Sequence, residues 1–472
     1  MTVFGQLLKA AVQMLSVVVL SRMLEPDDFG LIAMVTVAVA LGELVLDFGL
    51  TAAALRSPTL TRAQASNLFW LNLALGTFLA LTLFTIAPIL SILYDEPRIV
   101  PVAQVIAISL IINGLQAQVQ VQLARAQRFT SIAVSDLAGQ VLGFIAAVST
   151  AAFGWGYWAL VAQVLVNALT IAISRIAAAR WIPALPKRGV GSSHLVKSGA
   201  HYAVAQLLTF AASNVDTFVI GARWNATTLG YYNRAFQLLT LPLSRLLTPL
   251  TNVAVPTLTK MQADSSSQSM NARYVKVQTL LALPVAAVFA ISAGAADTLV
   301  PLVLGQSWKP AVPLFQILAL GGAIRALSHV TYWLFLITAP SKSFLVSSFV
   351  TKGITIALIV VGSFHSVEAV ALLYSIGLLF NWPINLIWLK YTGGVDARPL
   401  FTAGVRIVLT TIPAAVTGYA LQYLPLNSVL LTCSLQIAGS ITVLLLTLLA
   451  TSQGREDIRL GYDTAKSMIA RS

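Results

Sequence analysis

The chain has 472 residues, of which 57% are hydrophobic and only 10% charged, far from the balance of a water-soluble domain. Its 29 Lys and Arg against 16 Asp and Glu give a net charge of +13, but the positives sit in short breaks between apolar runs, which excludes a nucleic-acid partner held by a basic domain. The composition is that of a membrane protein with no loop long enough for a soluble catalytic domain.

Apolar stretches of about the 20 residues that a helix needs to cross hydrocarbon recur at about 1–21, 30–54, 67–93, 100–123, 130–152, 156–179, 200–222, 229–255, 277–295, 311–337, 343–363, 366–389, 401–421 and 428–450. They predict an all-α polytopic membrane protein of about fourteen transmembrane helices. The first span has a weak basic start and no small-residue cleavage site around Leu20-Ser21-Arg22-Met23, so it reads as a mature helix and not as a signal peptide. Along it, Gln6, Lys9, Gln13 and Ser16 form a polar stripe at helical spacing. Span 2 carries Glu43 and Asp47 one turn apart; they repel if both ionise and are candidates for ion coupling. Asn113, Gln116 and Gln120 repeat the stripe in span 4, Asp136 lies in span 5 and Asp216 in span 7. In span 8, Arg234, Gln237, Arg245, Thr248 and Asn252 fall on one arc, opposite Leu239, Leu243, Leu246 and Leu250, a stripe expected to line water. Arg325 in span 10, Lys352 in span 11 and Arg406 in span 13 complete the deep cations.

Charge asymmetry orients the spans. With the N-terminus inside, Arg56, Arg62, Arg125, Arg128, Lys187, Arg188, Lys197, Arg273, Lys390 and the tail from Arg455 are internal, against Arg22, Arg98, Arg223 and Lys309 outside. Both termini are therefore expected in the cytoplasm, with an even number of spans.

The heptapeptide PTLTRAQ at 58–64, after span 2, returns as PTLTKMQ at 256–262, after span 8. Pro101-Val-Ala-Gln104 opening span 4 matches Pro313-Leu-Phe-Gln316 opening span 10, and the Arg22–Gly30 turn matches Arg223–Gly230. The chain thus reads as a duplicated six-helix unit, whose halves share one orientation and a pseudo-twofold axis along the membrane normal. The expected divisions are an N-terminal six-helix bundle (1–180), a cytoplasmic linker (181–199), a C-terminal six-helix bundle (200–390), transmembrane helices 13 and 14 (400–450) and a cytoplasmic tail (451–472). The heptapeptides serve as landmarks, expected to cap equivalent helix pairs at the inner face.

A central charge costs about 2.5–3.5 kcal/mol to insert, so those retained usually face a cavity or a partner. Internal salt bridges are the plain alternative, strongest for Asp136, Asp216 and Arg406, which lie towards span ends. A cavity lined by Arg and Lys favours an anion, the guanidinium fork suiting phosphate or carboxylate. His194, His201, His329 and His365 are scattered without zinc-ligand spacing, and no P-loop, nucleotide fingerprint or Ser elbow is present. No metal, cofactor or catalytic residue is therefore expected.

Arg22-Met-Leu-Glu-Pro-Asp-Asp-Phe-Gly-Leu31, Asp216-Thr-Phe-Val-Ile-Gly221, Leu229-Gly-Tyr-Tyr-Asn-Arg-Ala235, Pro242 and Trp308-Lys309-Pro310 resemble the polysaccharide-exporter branch of the multidrug/oligosaccharidyl-lipid/polysaccharide superfamily. The likeness is to Wzx-type flippases of the colanic-acid and teichuronic-acid exporter group, and it covers nearly the whole chain. The resemblance implies a V-shaped pair of six-helix bundles in the bacterial cytoplasmic membrane that carries an undecaprenyl-pyrophosphate-linked oligosaccharide outward by alternating access. It further implies that the basic cavity takes the pyrophosphate and sugars, and that spans 13 and 14 hold the lipid tail. One departure is that the Arg usual directly after Ile-Gly is displaced by one place, in Gly221-Ala222-Arg223. On this reading Arg245, Arg325 and Lys352 neutralise the headgroup, with Arg234, Lys9 and Arg22 in second rank. Glu43, Asp47 and Asp216 serve coupling, and Gln13, Asn113, Gln116, Gln237 and Asn252 line the path. Candidate partners beyond substrate and bilayer are a polysaccharide polymerase and glycosyltransferases. The rival readings are a drug/cation antiporter of the same superfamily, which wants an acidic, aromatic cavity, and a membrane glycosyltransferase or acyltransferase.

Overall fold

The computed structural model describes residues 2–46, 60–187, 210–263, 267–424 and 428–469. Among them the chain is helical and without strands. The helices are α1 (Thr2–Met23), α2 (Pro26–Leu46), α3 (Arg62–Tyr94), α4 (Ile99–Ile106), α5 (Ile108–Arg125), α6 (Phe129–Ala152) and α7 (Trp158–Ala179). After α8 (210–223) come α9 (Ala226–Ala263), α10 (Ser267–Gly294), α11 (Ala296–Leu304), α12 (Ala311–Thr338), α13 (Ser341–Gly362), α14 (Val367–Gly393), α15 (Ala397–Leu421), α16 (Val429–Ala450) and α17 (Ser452–Ile469). Eleven stretches of the described residues are long and apolar enough to cross a membrane, with α4 and α5 forming one of them. Helix α3 leaves Phe78, Leu81, Phe84, Ile89 and Ile92 exposed, a ridge that suits lipid and not water.

Contacts divide the chain into two compact units, Met1–Asn233 and Arg234–Ser472. In the first, α6 packs along α7, α3 along α5 and α1 along α6. The α3–α5 pair is close because both helices present glycine: a Cβ on Gly76 would stand 2.6 Å from the Leu110 carbonyl oxygen, and one on Gly114 2.6 Å from that of Asn72. Small residues let backbones approach in this way where no hydrophobic drive separates helix from lipid. After α7 the chain runs back beside the start of α3. There Asn67 exchanges two hydrogen bonds with the Lys187 backbone (2.7 and 2.9 Å) and Trp70 Nε1 donates to the Ala184 carbonyl (3.0 Å).

Two turns that match in the internal repeat also meet within this unit. A Cβ on Gly30 would overlap the Ala226 carbonyl oxygen, and one on Gly230 the Pro26 carbonyl oxygen. Beside them Thr227 Oγ1 donates to Asp27 Oδ1 (3.1 Å). Arg98 binds Asp27 Oδ2 (2.7 Å) and Glu96 Oε2 (2.6 Å) and lies 5.9 Å from the Tyr157 ring centre. Bonding to Arg98 holds the Glu96 carboxyl below the usual carboxylate range, and the same bond raises the Arg98 pKa.

In the second unit α12 is the most enclosed membrane-length helix, packed by α14 and α10, while α13 lies on α14 and α15 on α10. Trp333, Leu334, Phe335, Trp382, Leu386 and Leu400 form its core, with Trp382 stacked on Phe401 at 5.4 Å between ring centres. Between α11 and α12 the chain passes Gly305 at φ 111°, a conformation open to glycine, and a 3₁₀ turn (Gln306–Trp308) that buries Trp308 completely. Helix α17 is held by Arg406, whose guanidinium meets Asp457 at 2.8 Å and Gln453 at 3.0 Å.

The repeated heptapeptide takes two conformations, which corrects the expectation that both copies cap helices. In the first, Thr61 is the N-cap of α3 and forms a reciprocal capping box with Gln64. In the second, α9 continues through Ala263, and Thr259 donates back to the Val255 carbonyl (2.9 Å). A Thr caps only where the chain before it has left the helix, and before Thr259 it has not.

Candidate functional site

Asp47 lies outside the described residues, and so do the side chains of Gln6, Arg245, Thr248 and Asn252, although Arg245 and Asn252 belong to α9. The other expected site residues fall into two clusters, one in each unit, and a few stand apart.

The first unit contains a chain of polar side chains drawn from five helices. Arg175 on α7 is 5% exposed and donates to Asp136 Oδ1 on α6 (2.6 Å), to Gln120 Oε1 on α5 (2.9 Å) and to Gln116 Oε1. Lys9 on α1 meets Asp136 Oδ2 at 3.1 Å. Gln116 Nε2 then donates to Asn113 Oδ1 (3.1 Å), and Asn113 Nδ2 to Glu43 Oε1 on α2 (2.8 Å). A guanidinium can only donate and an ionised carboxylate only accept, so the two ends fix the sense of every amide between them. Glu43, Leu46, Asn113, Gln116, Ala117 and Gln120 line a cavity of about 170 Å³ along this chain.

Arg175 escapes a reading centred on mid-span charges because it lies near the end of its span. Its signal is the spacing of Gln163, Asn167 and Arg175 at four and eight residues, one face of α7. Lys9, placed among cations for substrate, faces Asp136, and Gln13 is half-buried on α1. Arg22 is exposed in the last turn of α1. Asp216 is 3% exposed and accepts from Tyr232 Oη (2.8 Å) and from the Thr217 amide (2.9 Å).

In the second unit, Arg325 extends from the middle of α12 and is exposed, with Nη1 3.2 Å from Tyr374 Oη on α14. Phe236, Leu239, Leu243, Phe289, Leu318 and Leu378 surround that pair in a small pocket, and Phe236 meets the Tyr374 ring edge-on at 5.6 Å. A cation set in an apolar wall suits an amphiphile with an anionic head. Arg234 is buried and donates to Gln237 Oε1 (2.8 Å). Lys352, half-buried in α13, is not among the described residues that line the Arg325 pocket. One turn after Arg325, His329 Nε2 lies 3.1 Å from Thr251 Oγ1, which also accepts from Trp333 Nε1 (2.8 Å). Among the described residues no group of three His, Cys, Asp or Glu is placed to hold a metal ion.

Comparison with known proteins gives relatives in polysaccharide pathways. The chain is 25% identical to the teichuronic acid biosynthesis protein TuaB of Bacillus subtilis (strain 168) over 300 residues, 61% of this chain and 59% of that protein. It is 21% identical to the lipopolysaccharide biosynthesis protein WzxC of Escherichia coli (strain K12) over 314 residues, 66% and 63%. It is 28% identical to the succinoglycan biosynthesis transport protein ExoT of Rhizobium meliloti (strain 1021) over 320 residues, 66% and 62%. The chain thus spans 59–63% of the length of these relatives. Among solved structures it superimposes on the lipid II flippase MurJ with a TM-score of 0.73 at 10% identity, covering 94% of this chain and 97% of that one. An inward-facing multidrug transporter of the MATE family gives 0.60 at 14% identity, covering 85% and 96%. The fold is the one seen in MurJ and in this MATE transporter. The model of the family described as "Polysaccharide biosynthesis protein" matches residues 19–313, more than half of the chain, and the protein belongs to that family.

Proposed function

We propose that the protein is a flippase that moves an undecaprenyl-pyrophosphate-linked oligosaccharide, the repeat unit of a polysaccharide, across the cytoplasmic membrane by alternating access. The observation that carries this reading is the Arg325–Tyr374 pair inside a wall of Phe and Leu, where an anionic head on a hydrocarbon chain finds both its partners. Arg245 and Lys352 supply further positive charge on this reading, and Glu43 is the group at which a proton or cation gradient enters. The sorting of Lys and Arg along the chain supports a cytoplasmic location for both termini. Glycosyltransferase partners would act before the transfer and a polymerase after it.

The test is the double variant Arg245→Ala/Arg325→Ala in proteoliposomes, with translocation read as lectin access to the sugar of a lipid-linked oligosaccharide. Translocation is expected to fall to background while membrane insertion persists, and full activity would overturn the assignment. The drug/cation antiporter reading has one supporting observation, the carboxylate in the cavity of the first unit. Ethidium efflux that depends on Glu43 would favour it.

A further inference from the structure

We propose that the segment after α7, residues 180–187, is a docking strip for anionic phospholipid, laid along the first turns of α3 at the membrane boundary. The inference uses the first unit alone and does not depend on the flippase reading. It changes the expectation of a cytoplasmic linker over 181–199, because the start of that stretch is fixed to a helix.

A period of three sets the geometry. Trp181-Ile182-Pro183-Ala184-Leu185-Pro186-Lys187 repeats every third residue, the period of a polyproline-type extended chain, and each proline pushes the residue before it towards that conformation. Three edges result. Along one, the Trp181 ring meets Phe69 at 6.0 Å between centres, the Ala184 amide donates to Ser66 Oγ (3.0 Å), and the Lys187 backbone exchanges its two bonds with Asn67. Along the next, Ile182 and Leu185 are 77% and 79% exposed. The third edge holds the prolines, which have no amide to satisfy.

Backbone accounting says which medium the apolar edge meets. Irregular chain lies against lipid only where its polar groups have partners of their own. Both backbone groups of Ala184 and both of Lys187 are bonded to side chains of α3. Trp70 and Trp181 stand at the same level, the aromatic placement of a membrane interface. Charge then names the lipid. Arg180, which ends α7 in the left-handed region at φ 48°, and Lys187 bracket Ile182 and Leu185 in the chain. Ser66 Oγ, which accepts from Ala184, donates to the Arg62 carbonyl (2.9 Å), so Arg62 starts one turn from the strip. All three cations are exposed, and among the described residues none of them pairs with a carboxylate. Acyl carbon against Ile182 and Leu185, with phosphate against Arg62, Arg180 and Lys187, is the chemistry of an anionic phospholipid.

The experiment uses the full-length protein with Cys433→Ser and Leu185→Cys, labelled with bimane and placed in nanodiscs. The probes are phosphatidylglycerol and phosphatidylcholine brominated in their acyl chains, and iodide added from water. Both brominated lipids are expected to quench the label, with a relative association constant for phosphatidylglycerol roughly three- to fivefold above that for phosphatidylcholine. That preference should fall to about one in Arg62→Gln/Arg180→Gln/Lys187→Gln, and likewise at about 0.5 M salt, which screens exposed charges. Where the triple variant does not insert, the salt titration of the labelled parent decides. Strong iodide quenching without lipid quenching overturns the proposal by placing the strip in water. Quenching by neither overturns it in favour of a protein cover, a second copy or another chain. Equal constants for the two lipids overturn it as well, leaving a surface that touches the bilayer without selecting charge.

Discussion

Arg175 is where a single side chain decides the most. It is buried, and its partners on two other helices have no other described cation at hand except Lys9 on Asp136. Breaking a buried pair by removing one member commonly costs about 3–5 kcal/mol, whereas replacing both with neutral groups is far milder. Asp136 keeps a quarter of its side chain exposed, so Arg175→Ala should fall at the low end, near 3 kcal/mol, and Arg175→Gln/Asp136→Asn should recover much of it. Thermal unfolding in detergent checks both. A pH effect belongs to Glu96, whose pKa is depressed in the fold by its bond to Arg98. A depressed carboxyl stabilises the fold above its unfolded pKa, and that stability is lost as the pH falls through the folded value. Arg98→Ala should therefore lower the unfolding midpoint most near and above neutrality and converge with the unsubstituted protein in acid, so that the acid side of the curve of midpoint against pH is flattened. The sequence shows that Asp136 and Arg406 lie where a partner could reach them, but it cannot name Arg175, 39 residues on, or Asp457, 51 residues on. Only the tertiary fold supplies those pairings.

At the scale of helices, composition and periodicity are enough to find nearly every span, because a helix in lipid must satisfy its own backbone and show apolar length. They fail where local words depend on context, as with Thr61 and Thr259. Close approaches are equally hidden: nothing in the sequence separates Gly30, pressed on the Ala226 carbonyl, from Gly353, which has open space where its Cβ would be. Gly30→Ala should push the two turns apart and cost about 1–3 kcal/mol or more. Gly353→Ala, in the interior of α13, should gain roughly 0.5–1 kcal/mol from the loss of glycine's unfolded freedom. The pair of unfolding midpoints, one lowered and one raised, tests the contact directly.

For the molecule as a whole, the repeat and the charge sorting were open to sequence reading, whereas the chemistry that distinguishes the units was not. Both carry polar stripes in the sequence, yet in the first Arg175 and Lys9 are consumed in a network on Asp136, and in the second Arg325 stands exposed in an apolar wall. The proposed orientation can be checked in a Cys433→Ser background, since Cys433 is the only cysteine. A cysteine at position 309 should react with an impermeant maleimide added outside intact cells, and one at position 187 only after lysis. The turns at Pro26–Gly30 and Ala226–Gly230 carry a different message. Gly30 lies on Ala226 as Gly230 lies on Pro26, so exchanging the two copies of the repeat leaves the contact unchanged. That is the self-complementary pattern by which two identical chains associate. A polypeptide of half this length could already have paired with itself through the same few atoms, and gene fusion would then have joined partners that had met before.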